Sequence, residues 1–315
     1  MTVLQGCVEQ EECPFNVQIV YRYDREGESG GKNVLPVYVS GIIQYIFDES
    51  NRLVAVDSTR ADDHGRFVIT CRLPAGRYTV SGWGNVRGAS HVNDATALQE
   101  TALSLADAPD ADGLQGNSER LFYGRRSFTV ERRGVIRSYV DMTHAHCLLS
   151  FSIWWKNASQ TPPASGDFYL LLRDVPSRYG FVPGYSVQSG QAVPYAPGMD
   201  DYPVWDDAAI NHIPLVHDDE QLATHRASAV LNDKTLRGEF VTYRLTAASH
   251  PSLSIYDGET PLVEDIDLHK FFTELAIGLD ETLRQEYRIG IEIASGHLTA
   301  FMLTATTANW EEGRL

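Results

Sequence analysis

Apolar side chains fall at every second position through long stretches of this chain, the period of an extended strand with one buried face. Cys13, Phe15, Val17, Ile19, Tyr21 and Tyr23 share one such face, and a Gly/Ser-rich stretch from Glu26 to Gly31 closes the segment. A second run, 37–54, sets Val37, Val39, Ile43, Tyr45 and Phe47 together and turns through Asp48 to Arg52 into Leu53 and Val54. Phe67, Ile69, Cys71 and Leu73 alternate as far as Pro74-Ala75-Gly76, and 76–85 (GRYTVSGWGN) forms the next strand. The alternation weakens over 91–106, where Leu98, Ala102 and Leu105 fit one face of a short helix. It resumes over 121–130 and 135–143.

A second set of strands starts at His144. Cys147, Leu149, Phe151, Ile153 and Trp155 alternate, and 167–174, 224–231, 239–245, 253–256, 287–293 and 298–304 continue the pattern. Between them, 178–202 is rich in Gly, Pro and Tyr and is expected to form a long structured excursion. One helix interrupts the set. Asp267 caps its start, Leu268, Phe271, Phe272 and Leu275 make its apolar stripe, and Gly278 ends it. Short strands with turn punctuation, used twice, predict an all-β chain of two sandwiches, 13–143 and 144–315, with a helix in the second and a candidate helix in the first.

Composition bounds this picture. At 315 residues the chain is long for one domain and comfortable for two, and 43% hydrophobic residues suffice for packed cores. No apolar run reaches the roughly 18 residues a membrane-spanning helix needs. A net charge of −16 excludes a nucleic-acid-binding surface, which requires clustered Lys and Arg, and disfavours docking on anionic lipid. The four cysteines, Cys7, Cys13, Cys71 and Cys147, form no CxxC pair, so zinc-ribbon and thioredoxin chemistry have no support.

Candidate chemistry is sparse. Leu4-Gln5-Gly6-Cys7 is similar to a bacterial lipobox, and Glu9, Glu11 and Glu12 after it suit a solvated tether. The residues before Cys7 are too few to hold a basic region and an apolar core, so 1–12 reads as a truncated signal, lipobox and tether. Cys13, Cys71 and Cys147 fall on apolar faces. Cys13 with Cys71 is the candidate disulfide, with buried free thiols the equal alternative.

His144-Ala145-His146 on a strand sends both imidazoles to one side, where His212, His217 or the acids Asp218, Asp219 and Glu220 could complete a metal site; a polar pair on an exposed or inter-domain strand explains them as well. The acidic loops at Asp200-Asp201 and Asp206-Asp207 lack calcium-loop spacing. No metal or cofactor is therefore assigned. No G-x-S-x-G elbow, P-loop or dinucleotide-binding glycine pattern occurs, and Gly82-Trp83-Gly84-Asn85 reads as a backbone device. Trp154, Trp155, Tyr185, Tyr195, Tyr202 and Trp205 could form a sugar-stacking surface or serve in packing.

Taken in order, the lipobox-like cysteine, EECPFNVQIVYRY, YIFDESNRLV and LPAGRYTVSGWGN closely resemble the N-terminal domain of the FimB-type fimbrial anchor lipoproteins of Bacteroidales. The likeness covers roughly Cys7 to Asn85, and the second half agrees in architecture through its late helix and Trp310. It implies tandem transthyretin-like β-sandwiches, an acyl (palmitate) lipid on Cys7, and a place on the cell surface in the outer membrane. It also implies partnership with fimbrial shaft or accessory subunits by strand addition, a role in cell adhesion, and no catalytic residues. A surface glycan-binding lipoprotein using Tyr185 to Trp205 is the alternative; a secreted hydrolase is the third reading.

Overall fold

A computed structural model describes residues 14–24, 29, 31–93, 95–106, 114–163, 166–182, 193–194, 222–232, 235–294 and 297–306. Its regular structure is mostly strand, as an all-β chain requires, arranged in five sheets. Sheet I runs in the order Val193–Pro194, Ile136–Asp141, Val17–Arg22, Phe67–Cys71. Sheet II runs Thr143–His144, Phe122–Val130, Gly76–Gly84, Ile42–Asp48, Leu53–Thr59. Their facing sides enclose one apolar core, built from Val17, Ile19 and Tyr21 against Ile42, Ile46, Val80 and Phe122.

Sheet III orders Val230–Asn232, Thr235–Tyr243, His146–Trp155, Gln285–Ala294 and His297–Thr306. Sheet IV orders Thr260–Asp267, Ser252–Asp257, Phe168–Pro176, Leu222–Ser228 and Leu114–Gln115. Leu149, Phe151 and Ile153 meet Leu170, Leu172 and Ile255 in the second core. In both halves the opening strand pairs parallel with a distant one: Val17–Arg22 with Ile136–Asp141, and His146–Trp155 with Gln285–Ala294.

The second core does not stop at sheets III and IV. It extends through Phe181 and Tyr179 onto the outer face of sheet II, where Tyr45, Phe47, Trp83 and Tyr123 lie buried. A small sheet V, Arg178–Gly180, Ala102–Leu105 and Ser90–Val92, contributes Leu103 and Leu105 to this contact. The central strands of sheet II are thus covered on both faces. Within Ile42–Asp48, Ile42 and Ile46 face the first core while Tyr45 and Phe47 face the second, which is why that strand reads as a continuous apolar run.

Three expectations change. No helix forms over the described part of 91–106; Ser90–Val92 and Ala102–Leu105 pair antiparallel instead. The Asn93 side chain accepts from the Ala102 amide at 2.7 Å and donates to the Glu100 carbonyl at 3.1 Å, holding a turn that a helix would undo. The short helix of the first half is Leu35–Tyr38, with Pro36 in its first turn, so the next strand begins at Ile42 rather than Val37 and leaves Val37 exposed. The late helix, Leu268–Glu274, starts as expected, with Asp267 accepting from the Lys270 amide at 2.8 Å. It stops one turn before Gly278. Ala276 takes a positive φ of 53° and Leu275 points outward, while Leu268, Phe271 and Phe272 remain buried.

Candidate functional site

The chain leaves sheet II and enters sheet III within three residues. His144 pairs with Phe122 in sheet II, Ala145 donates its amide to the Leu121 carbonyl at 2.9 Å, and His146 pairs with Tyr243 in sheet III. Because the segment stays extended, His144 and His146 project to the same side. Their ring centroids lie 4.7 Å apart, and Phe122 packs against both rings.

Each ring is held by its far nitrogen. His144 Nε2 lies 2.8 Å from the Tyr23 hydroxyl, and His146 Nδ1 lies 2.8 Å from the Leu121 carbonyl oxygen. The near nitrogens, His144 Nδ1 and His146 Nε2, have no hydrogen-bond partner. Both aim at one atom, Oε1 of Glu286, at 3.9 and 3.6 Å. The three donor atoms lie within 4.8 Å of one another, and all three residues are buried.

Glu286 comes from the strand parallel to His146–Trp155, where it stands beside Leu148. Its other oxygen, Oε2, accepts from Arg284 Nε at 2.8 Å. Arg244, also buried, donates to the carbonyls of His144, Leu283 and Thr282. Burial, and next the neighbouring His146, push the His144 imidazole well below its ordinary pKa, so at neutral pH it is an uncharged base with a lone pair to offer.

Of the residues singled out from the sequence, His144 and His146 are brought together. His212, His217, Asp218, Asp219 and Glu220 lie outside the described residues, as do Asp200, Asp201, Asp206 and Asp207. Glu286 was missed. On its strand it alternates with the apolar Tyr287, Ile289 and Ile291, which is also the pattern of a solvent-facing acid. Its place beside the histidines depends on a parallel pairing between segments far apart in the chain.

Cys7 and Cys13 lie outside the described residues. Cys71 is half-buried and its thiol is pushed up to about 11 by burial and by Asp57. Cys147 is fully buried. Trp154 and Trp155 are half-buried, Trp154 donating to Glu292 at 3.4 Å, while Tyr185, Tyr195, Tyr202 and Trp205 lie outside the described residues.

Among the described residues no helix is long and apolar enough to cross a membrane. Among the described residues, sheet II has one edge whose start is bonded to a neighbouring segment, the Leu53 amide donating to the Thr96 carbonyl at 2.9 Å. Leu53–Thr59 is the outermost strand of sheet II, and its Val54 and Val56 are 45% and 52% exposed.

No curated protein matches the sequence. Solved structures do match in fold. A candidate polysaccharide-binding protein from Bacteroides thetaiotaomicron superposes with a TM-score of 0.65 at 14% identity, over 92% of this chain and 96% of the other. A candidate adhesin from the same species gives 0.62 at 14% identity, covering 95% and 98%. The fimbrial anchor protein Mfa2 from Porphyromonas gingivalis gives 0.60 at 13% identity, covering 93% and 98%. Identities this low establish a shared fold. The family model of the fimbrillin-A associated anchor proteins Mfa1 and Mfa2 matches residues 10–312, and the chain belongs to that family.

Proposed function

We propose that this protein is a fimbrial anchor or accessory subunit of the outer membrane, tethered by a lipid on Cys7 and joined to fimbrial subunits by strand addition. The observation that carries the reading is the family match across 10–312. It begins just after the lipobox-like cysteine, so the matched body and the tether follow one another along the chain. The fold suits the role. Strand addition draws its affinity from main-chain hydrogen bonds at a sheet edge, and beyond Leu53, whose amide bonds to Thr96, the outermost described strand of sheet II offers such an edge with two exposed valines on it. The tether would place that edge outside the cell. Several acyl chains on one cysteine give stable anchoring where a single chain gives only marginal binding.

The reading divides the body into two transthyretin-like sandwiches, 13–143 and 144–315, with the crossover at Ala145 as the boundary. Catalysis has no part in it. The glycan-binding alternative draws on Tyr185, Tyr195, Tyr202 and Trp205, which lie outside the described residues.

The test is co-purification. The tagged full chain, extracted from outer membranes of the native bacterium after mild crosslinking, is expected to bring down fimbrial subunits. A preparation free of them, from cells that carry fimbriae, would refute the assignment.

A further inference from the structure

We propose that His144, His146 and Glu286 form a buried zinc site that pins sheet II to sheet III. The proposal stands apart from the anchor reading and rests on the chemistry of the crossover.

The Leu121 carbonyl can only accept a hydrogen bond, so the His146 nitrogen facing it, Nδ1, carries the proton. His146 Nε2 has no hydrogen-bond partner and faces a carboxylate oxygen at 3.6 Å, and the tautomer with its proton on Nδ1 is the one that ligates a metal through Nε2. The Tyr23 hydroxyl can accept in the same way from His144 Nε2, leaving a second lone pair on Nδ1, directed at the same oxygen from 3.9 Å. Two imidazole nitrogens and a carboxylate oxygen that converge in a buried site are stabilised by a cation between them.

Spacing distinguishes the fillers. A proton shared between imidazole and carboxylate would draw its partners to about 2.7–2.9 Å. A bridging water at hydrogen-bond distance from both would hold them roughly 4.5 Å apart. Three ligands of a tetrahedral zinc, each about 2.0–2.1 Å from the ion, stand about 3.3 Å from one another. The 3.6 Å separation lies nearest the zinc value, and the 3.9 Å separation stands midway between the zinc and water values.

The surroundings agree with a metal site. Each imidazole has its far nitrogen fixed by a protein oxygen, and Glu286 has its second oxygen held by Arg284, the outer contacts that orient zinc ligands. Two imidazoles and one carboxylate suit zinc and are too poor in oxygen for calcium or magnesium. The opposing factor is the positive charge of Arg284 and Arg244 beside the site. Arg284 Nε is held by Glu286 Oε2, and the Nη1 and Nη2 groups of Arg244 donate to backbone carbonyls.

The test uses the full chain stripped by chelator, dialysed against zinc ions and desalted. About one equivalent of zinc should remain, with a raised melting temperature, and Glu286→Gln and His146→Gln should each cut retention at least tenfold and abolish the shift. His269→Ala, which breaks the separate His250–His269 pair whose rings lie 4.1 Å apart, should leave both unchanged. No retained zinc, or retention lost with His269→Ala and kept with His146→Gln, would overturn the site. Should the core variants fail to fold, X-ray absorption of the zinc-loaded wild type decides: two imidazoles and a carboxylate oxygen support the proposal, and any set without two imidazoles refutes it.

Discussion

Gly82 shows how a single position sets the spacing of two sheets. A β-carbon added there would meet the Tyr21 ring at 2.3 Å, and the facing Gly124 would meet the Asp141 carbonyl oxygen at 2.5 Å. The paired glycines let sheet I press onto sheet II, where the Tyr21 hydroxyl donates to Gln44 at 2.8 Å. Gly82→Ala must displace that ring, and overpacking of this kind costs roughly 1–3 kcal/mol, readable as a lowered denaturant midpoint.

Glu119 makes a second residue-scale case. Its Oε1 accepts from the amides of Arg87, Gly88, Ala89 and Ser90. Burial alone would raise this carboxyl, but the amide bonds outweigh it and hold it below the usual range. A carboxyl lowered in the folded state stabilises above its unfolded value and loses that contribution as pH falls through the folded one. Glu119→Gln should therefore be less stable than wild type at neutral pH. The gap between the two melting temperatures should narrow as the pH is taken below the ordinary carboxylate range.

Among the elements, the late helix depends on its cap. Asp267→Ala removes the bond to the Lys270 amide and should cost about 1 kcal/mol, seen in thermal denaturation. The edge strand makes a different demand. Val56→Lys should leave the melting temperature nearly unchanged because the side chain is already half in solvent, yet it should weaken capture of fimbrial subunits if they add along Leu53–Thr59.

The elements were legible where one rule governed them. Val17, Ile19 and Tyr21 alternate because a single core face buries them, and Asp267 with its apolar stripe announces a helix start. The rest depended on partners distant in sequence. Ala102–Leu105 mimics a helix stripe because its outer face is covered as well, and Leu275 fits a stripe that the backbone abandons one residue earlier. At the crossover the histidine pair could be read from its spacing alone, whereas Glu286 could not. Register between strands is a tertiary fact, and no local pattern carries it.

Across the whole molecule, the two halves are not independent bodies joined by a linker. Phe181 packs at 5.0 Å from Tyr45 and 5.3 Å from Trp83, and the Tyr123 hydroxyl donates to its carbonyl. Short strands cross the proposed boundary in both directions: Leu114–Gln115 joins sheet IV and Val193–Pro194 joins sheet I. Residues 13–143 expressed alone would expose Trp83, Tyr45 and Phe47. That fragment should aggregate or bind a hydrophobic dye, where the full chain does neither. The proposed anchor role would set this continuous core between the tether and the filament.

The proposed tether through Cys7 is tested by the division of fimbriae between cells and medium. In the native bacterium with the gene deleted, restoring the wild-type chain should return fimbriae to the cell surface, while restoring Cys7→Ala should leave them shed into the medium. Fimbriae that stay equally cell-bound with the wild-type chain, with Cys7→Ala and with no chain at all would contradict it.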